Sequence, residues 1–262
     1  KGIVTSASLL VNTKYFDDSV KLLKQNRKLD VGIHINLTEF RPLTRTKTQR
    51  VFGAKKSKAF LWKTKTLAGK NGEFIQKTKW FCGYYKNADK NEIEKEIETQ
   101  ILKALSSELK ITHINGHNHI HVFPNVIDVI VKLAKKYRIG YVRMPQEISY
   151  AKYMQQKWLR SVIYRFSKTA KTKIIKNKLK TTAAFYGILN MHDMNFNKLA
   201  KILASLKNET SELMVHPAYI DRKGDEFHQS RQREKEIELL TNNRIKNFIK
   251  TQSIKLTNFS HI

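Results

Sequence analysis

Short apolar runs alternate with longer amphipathic stretches along the whole chain. Ile3 to Val11 (IVTSASLLV) predicts a buried strand, and Tyr15 to Gln25 predicts a helix with Phe16, Val20 and Leu23 on one face. Val31 to Leu37 predicts a second strand. From Asn91 to Leu109, Ile93, Ile97, Ile101 and Leu105 recur every fourth residue, the signature of an amphipathic helix. Ile111 to Asn115 predicts a strand. Pro124 then opens a helix whose inner face carries Val126, Ile130, Leu133 and Tyr137. Tyr141 to Met144, Ala183 to Ile188 and Glu212 to His216 predict further strands, and Arg231 to Thr241 the last clear helix. Strands alternating with helices predict an α/β fold with a parallel sheet, and six or seven such units favour a barrel. Active-site residues of a barrel sit at the C-terminal ends of its strands. The polar residues at those ends are Asn12, His34, Asn36, the 115–121 cluster, Arg143 and His216.

At 262 residues and 40% hydrophobic, the chain is long enough for one large domain with a substantial core. No run reaches the roughly 18 apolar residues of a membrane span. Lys1 to Thr5 shows neither an apolar h-region nor a small-residue cleavage site. The lone cysteine, Cys82, excludes an internal disulfide framework, so the expected setting is the cytoplasm. Fifty Lys and Arg against 22 Asp and Glu give a net charge of +28, which draws a protein to polyanions. Lys greatly outnumbers Arg and no nucleic-acid module is visible, so compositional bias is the simpler account and no specific nucleic-acid partner is expected.

Six of the nine histidines fall in three predicted strand-end clusters: His34, then His113, His117, His119 and His121, then His216. In an extended segment His117, His119 and His121 would share one face. Neutral imidazole is the commonest transition-metal ligand. One histidine at a strand end is more often structural; three clusters together favour a metal site. No HExxH is present, which excludes a zincin.

These segments resemble the YdjC-like family of carbohydrate deacetylases, including its chitooligosaccharide deacetylases. Gly2-Ile-Val-Thr-Ser-Ala-Ser-Leu-Leu-Val-Asn12 is similar to the family's second-strand motif, and Val31-Gly-Ile-His-Ile-Asn-Leu-Thr-Glu39 with Arg41-Pro-Leu43 to its GxHxNLTE-x-RPL segment. Thr112 to His121 resembles its THxxxHxHxH segment; Tyr141 to Pro145 and Glu212 to Pro217 match two further blocks. Phe185-Tyr-Gly187 and Leu213 to Pro217 point to the branch associated with hopanoid biosynthesis. The resemblance implies a (β/α) barrel of the TIM type and removal of acetyl groups from an N-acetylated sugar or a glycolipid head group. It implies a divalent metal, magnesium or zinc, held by one Asp and two His. His34 and His117 match the metal-binding histidines, His216 stands where the general acid belongs, and Arg143 and Asn36 fall among substrate-binding positions. For Arg143, a structural ion pair at the rim is an equal alternative; for His216, the alternative is a strand-end capping role.

One expected piece is absent. Family members begin with a strand ending in Asn-Ala-Asp-Asp-Phe-Gly, whose aspartates supply a metal ligand and the base. Here Asp17-Asp18 is the one Asp-Asp pair, and it falls inside the first predicted helix. The expectation is therefore a single YdjC-like domain over residues 1–262, truncated by about one βα unit, on the order of 30 residues, and inactive as it stands. An inactive remnant with residual sugar or metal binding is the alternative function, and a polyanion-binding protein a third. Arg41 to Lys79, with Phe60, Leu61 and Trp62, reads as a long basic lid loop or a plain insertion. Ile148 to His192 holds ten Lys or Arg and no Asp or Glu, with Met154, Trp158, Val162 and Phe166 on one helical face. That face suits an ordinary barrel helix or contact with an anionic membrane surface. A homodimer is the other partnership expected.

Overall fold

A computed structural model describes residues 2–45, 64–147, 157–222 and 227–262. Phe60, Leu61, Trp62 and Met154 lie outside the described residues. The chain divides into two compact units, one of residues 6–144 and 156–181, the other of residues 1–5, 145–155 and 182–262.

The first unit is built on a four-stranded parallel sheet in sequential order: β1 (Ser6–Leu9), β2 (Asp30–Ile35), β3 (Ile111–Gly116) and β4 (Tyr141–Val142). Helices α1 (Phe16–Gln25), α2 (Lys77–Phe81), α3 (Lys90–Leu105), α4 (Pro124–Lys136) and α5 (Lys157–Lys176) accompany it. Alternation of parallel strands with crossover helices is the α/β arrangement that the hydrophobic pattern predicts. Ile33, Ile35, Ile93, Ile97, Ile101, Ile114 and Ile130 are all fully buried. Asp89 caps α3 by accepting hydrogen bonds from Asn91 N (2.8 Å) and Glu92 N (2.9 Å). Pro124 stands in the first turn of α4, where a missing N–H costs nothing.

The second unit carries a two-stranded parallel sheet, β5 (Ala184–Tyr186) and β6 (Ser211–Leu213), with α6 (Phe196–Ala204), α7 (Gln232–Thr241) and α8 (Asn243–Thr251). Met194, Leu199, Leu203, Leu240, Ile245 and Ile249 form its core. Among the described residues no helix is long and apolar enough to cross a membrane.

Several elements differ from expectation. The run from Ile3 is not one strand: β1 starts at Ser6, and Ile3 N instead donates to Leu240 O (3.0 Å). α3 stops at Leu105, because Ser106 and Ser107 bond back to the last turn and Glu108 takes φ +63°. Arg231 to Thr241 is not the last helix. Asn242 breaks α7 with an extended conformation and caps α8 through Arg244 N (2.8 Å). The segment after β3 is not extended either: residues 117–122 form tight turns in which Asn118 and His119 take φ +51° and +57°. Its histidines therefore do not alternate along one face.

Gly32 of β2 pairs with His113 of β3. A Cβ at Gly32 would lie 2.2 Å from His113 Nε2, so the ring occupies the space a side chain would need. Gly32→Ala is expected to lower stability by ~1–3 kcal/mol, as overpacking does. At Gly140 an added Cβ meets nothing within 4 Å. Gly140→Ala should be neutral or stabilise by up to ~1 kcal/mol through the unfolded chain. Urea unfolding of both variants checks the pair, and equal effects would contradict the packing described.

Candidate functional site

The parallel register sets His34 of β2 opposite Asn115 of β3 and Ile35 opposite Gly116. The chain then turns at Gly116, where a Cβ would stand 2.8 Å from His121 Nδ1. That close approach lets His121 fold back, with Nε2 donating to Arg143 O (3.0 Å), and it brings the His117 ring to His34. His34 Nε2 and His117 Nδ1 are 3.3 Å apart, with the rings nearly edge to face at 77°. His34 Nδ1 is 2.5 Å from Asn115 Oδ1. His117 Nε2 lies 3.0 Å from Glu39 Oε1, an ion-pair distance off the line of a well-formed hydrogen bond.

The amide of Asn115 settles the first ring. Its Nδ2 donates to Ser8 Oγ (2.6 Å), so its Oδ1 accepts, and His34 must donate from Nδ1. His34 Nε2 is then bare. His117 Nδ1 stands at hydrogen-bond distance from that bare nitrogen, and the His117 tautomer sets which of the two rings donates. Burial pushes the His34 pKa well below 6.5, so a second proton does not readily settle there. The close contact with His117 holds the Glu39 carboxyl below its ordinary 4.5, against the opposing effect of burial.

A loop holds Glu39 in place. The fully buried Asn36 accepts from Thr38 N (3.0 Å) and Glu39 N (3.1 Å) and donates to Glu39 O (2.8 Å) and Asn12 Oδ1 (3.2 Å). Gln100 of α3 clasps the Asn36 main chain from behind, at N (3.0 Å) and O (2.7 Å). Glu96, one turn earlier, accepts from Leu43 N, Thr44 N and Thr44 Oγ1. Thr38 Oγ1 accepts from Asn118 Nδ2 (3.1 Å), which ties this loop to the turn after β3.

Of the residues singled out in the sequence, His34, His117 and Asn36 lie within this constellation. Arg143 N donates to Ile114 O (2.9 Å), and burial first, with the Arg143 charge as a smaller cause, lowers the pKa values of His34, His113 and His121. His216 belongs to the second unit. There its N donates to Glu236 Oε2 (2.6 Å), its O accepts from Arg233 Nε (3.2 Å), and its ring meets Phe227 edge-on. Burial raises the Glu236 pKa. Asp17 and Asp18 are exposed in the first turn of α1. Among the described residues no group of three or more His, Cys, Asp or Glu is placed to hold a metal ion. Glu39, Ser8, Gln100 and Glu96 were not singled out by pattern. A signal for the last two existed: Glu92, Glu96 and Gln100 recur every fourth residue, one position before the isoleucine stripe.

The model of a family described as YdjC-like protein matches residues 1–251. A carbohydrate deacetylase of Thermoanaerobacter pseudethanolicus is 31% identical over 267 residues, covering 99% of this chain and 88% of that protein. One from Clostridium beijerinckii is 31% identical over 264 residues, with 100% and 89% covered. One from Brevibacillus brevis is 28% identical over 266 residues, with 100% and 90% covered. A crystal structure from Enterococcus faecalis, of a protein named for a proposed role in cellobiose-phosphate cleavage, superimposes with a TM-score of 0.73 at 17% identity. It covers 99% of this chain and 88% of its own, a likeness of fold.

The buried imidazoles predict acid sensitivity. Burial lowers the pKa values of His113 and His121 to about 3, whereas the unfolded chain titrates near 6.5. Between those values the unfolded state binds more protons, so stability falls as pH drops. The slope is on the order of 1.4 kcal/mol per pH unit for each ring. The lowered Glu39 carboxyl adds to the loss below its ordinary 4.5. Urea unfolding at pH 7, 6 and 5 should show the decline, and His121→Gln should flatten it; equal stability at pH 7 and pH 5 would contradict the burial.

Proposed function

The chain belongs to the YdjC-like family, and we propose that it carries a divalent-metal site of a carbohydrate deacetylase, acting on N-acetylated sugars. The observation that carries this reading is the 3.3 Å separation of two imidazole nitrogens, His34 Nε2 and His117 Nδ1. Two nitrogens each ~2.0–2.1 Å from one tetrahedral zinc stand roughly 3.3–3.4 Å apart. The outward nitrogens of both rings are held by an amide oxygen and a carboxylate, as ligating histidines commonly are. The donor set therefore fits zinc, and magnesium less well, because magnesium prefers oxygen ligands.

A divalent ion bound between His34 and His117 supplies Lewis-acid polarisation of an amide carbonyl and of a water. The chain's own residues do the rest. Asn115 orients His34, and Glu39 orients His117. Asn36 and Gln100 hold Glu39 in register. We assign substrate orientation to Arg143. A glycolipid head group is the narrower substrate class. It is supported by α5, which carries basic residues, no acidic ones, and exposed Trp158 and Ile175.

Calorimetry with zinc should detect one site, and His34→Ala or His117→Ala should weaken it by at least the ~10–100-fold that even outer-shell changes cost. Undiminished binding in both variants overturns the site. Acetate release from N-acetylated chitooligosaccharides, measured in parallel, tests the reaction. Zinc binding through both histidines without any acetate release keeps the site and overturns the reaction. For the narrower substrate, the protein should sediment with anionic but not neutral vesicles; indifference to vesicle charge removes that support.

A further inference from the structure

Behind His34 runs a continuous line of hydrogen bonds. Thr112 Oγ1 is 2.8 Å from Asp30 Oδ2 and 3.1 Å from Val31 O. It is also 3.0 Å from His113 Nδ1. His113 Nε2 is 3.1 Å from Ser8 Oγ, which lies 2.6 Å from Asn115 Nδ2. Asn115 Oδ1 closes the line on His34 Nδ1 at 2.5 Å. Four residues thus connect Asp30 at the start of β2 to the ring near its end.

The direction of every donor follows from one end. A main-chain carbonyl only accepts, and an ionised carboxylate only accepts. The single Thr112 hydroxyl proton therefore goes to Val31 O and Asp30, and toward His113 the hydroxyl oxygen must accept. His113 then donates from Nδ1, leaving Nε2 to accept. Ser8 donates to it, so Ser8 Oγ accepts from the Asn115 amide. Asn115 presents its oxygen to His34, which must carry its proton on Nδ1. Burial lowers the His113 pKa to about 3, so that ring has one N–H to give and no second proton to blur the direction. Gly32 leaves the slot that the His113 ring fills.

We propose that Thr112, His113 and Ser8 are positioning residues that act through Asn115 to fix which nitrogen of His34 is bare, and so aim that nitrogen at His117. The functional meaning of the aim rests on the metal-site reading above; the relay itself does not. None of the three touches the facing nitrogens. Each acts by donor direction, so loss of one link frees the amide of Asn115 to turn over and His34 to adopt the other tautomer. The arrangement explains why an imidazole occupies a buried sheet position, and two hydroxyls half-buried ones, where apolar side chains would pack without hydrogen-bond demands.

The test is the tautomer of His34 in the full, metal-free chain labelled with nitrogen-15. Long-range proton–nitrogen correlation spectra distinguish Nδ1–H from Nε2–H rings. The wild-type chain should show His34 and His113 both as Nδ1–H. Ser8→Ala and Thr112→Val should each give a mixture at His34, and Thr112→Ser should restore the single form. A wild-type His34 protonated on Nε2 overturns the proposal without any variant. So does an unchanged His34 signal in a folded Ser8→Ala or Thr112→Val chain. Zinc affinity, titrated on the same samples, should fall ~10–100-fold with the mixture. If the tautomer responds but zinc affinity does not, the relay stands and the metal reading of the pair fails. If the wild-type tautomer is wrong while zinc still binds through both histidines, the relay fails and the metal reading stands.

Discussion

The parallel register between β2 and β3 is the constraint on which the candidate site depends. It sets His34 opposite Asn115 and Gly32 opposite His113, and it ends where Gly116 turns the chain. A slip of one residue would reverse the face of every side chain on the strand. His34 would then leave Asn115, and His113 would meet a strand with no slot for its ring. The apolar residues of β2 enforce the register, since Ile33 and Ile35 are both fully buried and have one arrangement that keeps them so.

The site is also built on buried polar groups, which are costly unless satisfied. Glu96 and Gln100 on α3 are fully buried, yet their side chains answer main-chain groups of residues 36, 43 and 44. Glu92 does the same for Lys65, Thr66 and Leu67. One helix thereby fixes two loops that would otherwise leave N–H groups unpaired. Removing a partner from such a network costs more than never having had it, because the orphaned group remains buried. Glu39 is held by this scaffold 3.0 Å from His117 Nε2. The facing nitrogens of His34 and His117 thus depend on residues from β1, β2, α3 and β3.

Much of this was legible in the residues. The isoleucine stripe of α3, the proline opening α4 and the apolar strands β2 and β3 are local patterns, and local patterns predicted the elements to within a few residues. The GxHxNLTE and THxxxHxHxH segments were legible because residue type and spacing alone carry them. The turn at 117–122 was not. Alternating histidines suit a strand, but Asn118 and His119 take left-handed conformations that only the surrounding contacts make worthwhile. α8 was missed because its apolar stripe is short and Asn242 reads equally as a stop for α7 or a start for α8.

The sequence by itself determined the alternation of strands and helices, the parallel α/β class, the family resemblance and the two histidines that meet. The first two follow from periodicity and residue chemistry, which are properties of neighbours along the chain, and the two histidines follow from the resemblance, which residue type and spacing carry. Only the tertiary structure decided which nitrogens face each other, that Glu39 stands behind His117, and that Ser8 serves His113 from 105 residues away. A hydroxyl, an amide and an imidazole can each donate or accept. Their roles become definite only when the fold joins them in one line ending on groups that can only accept.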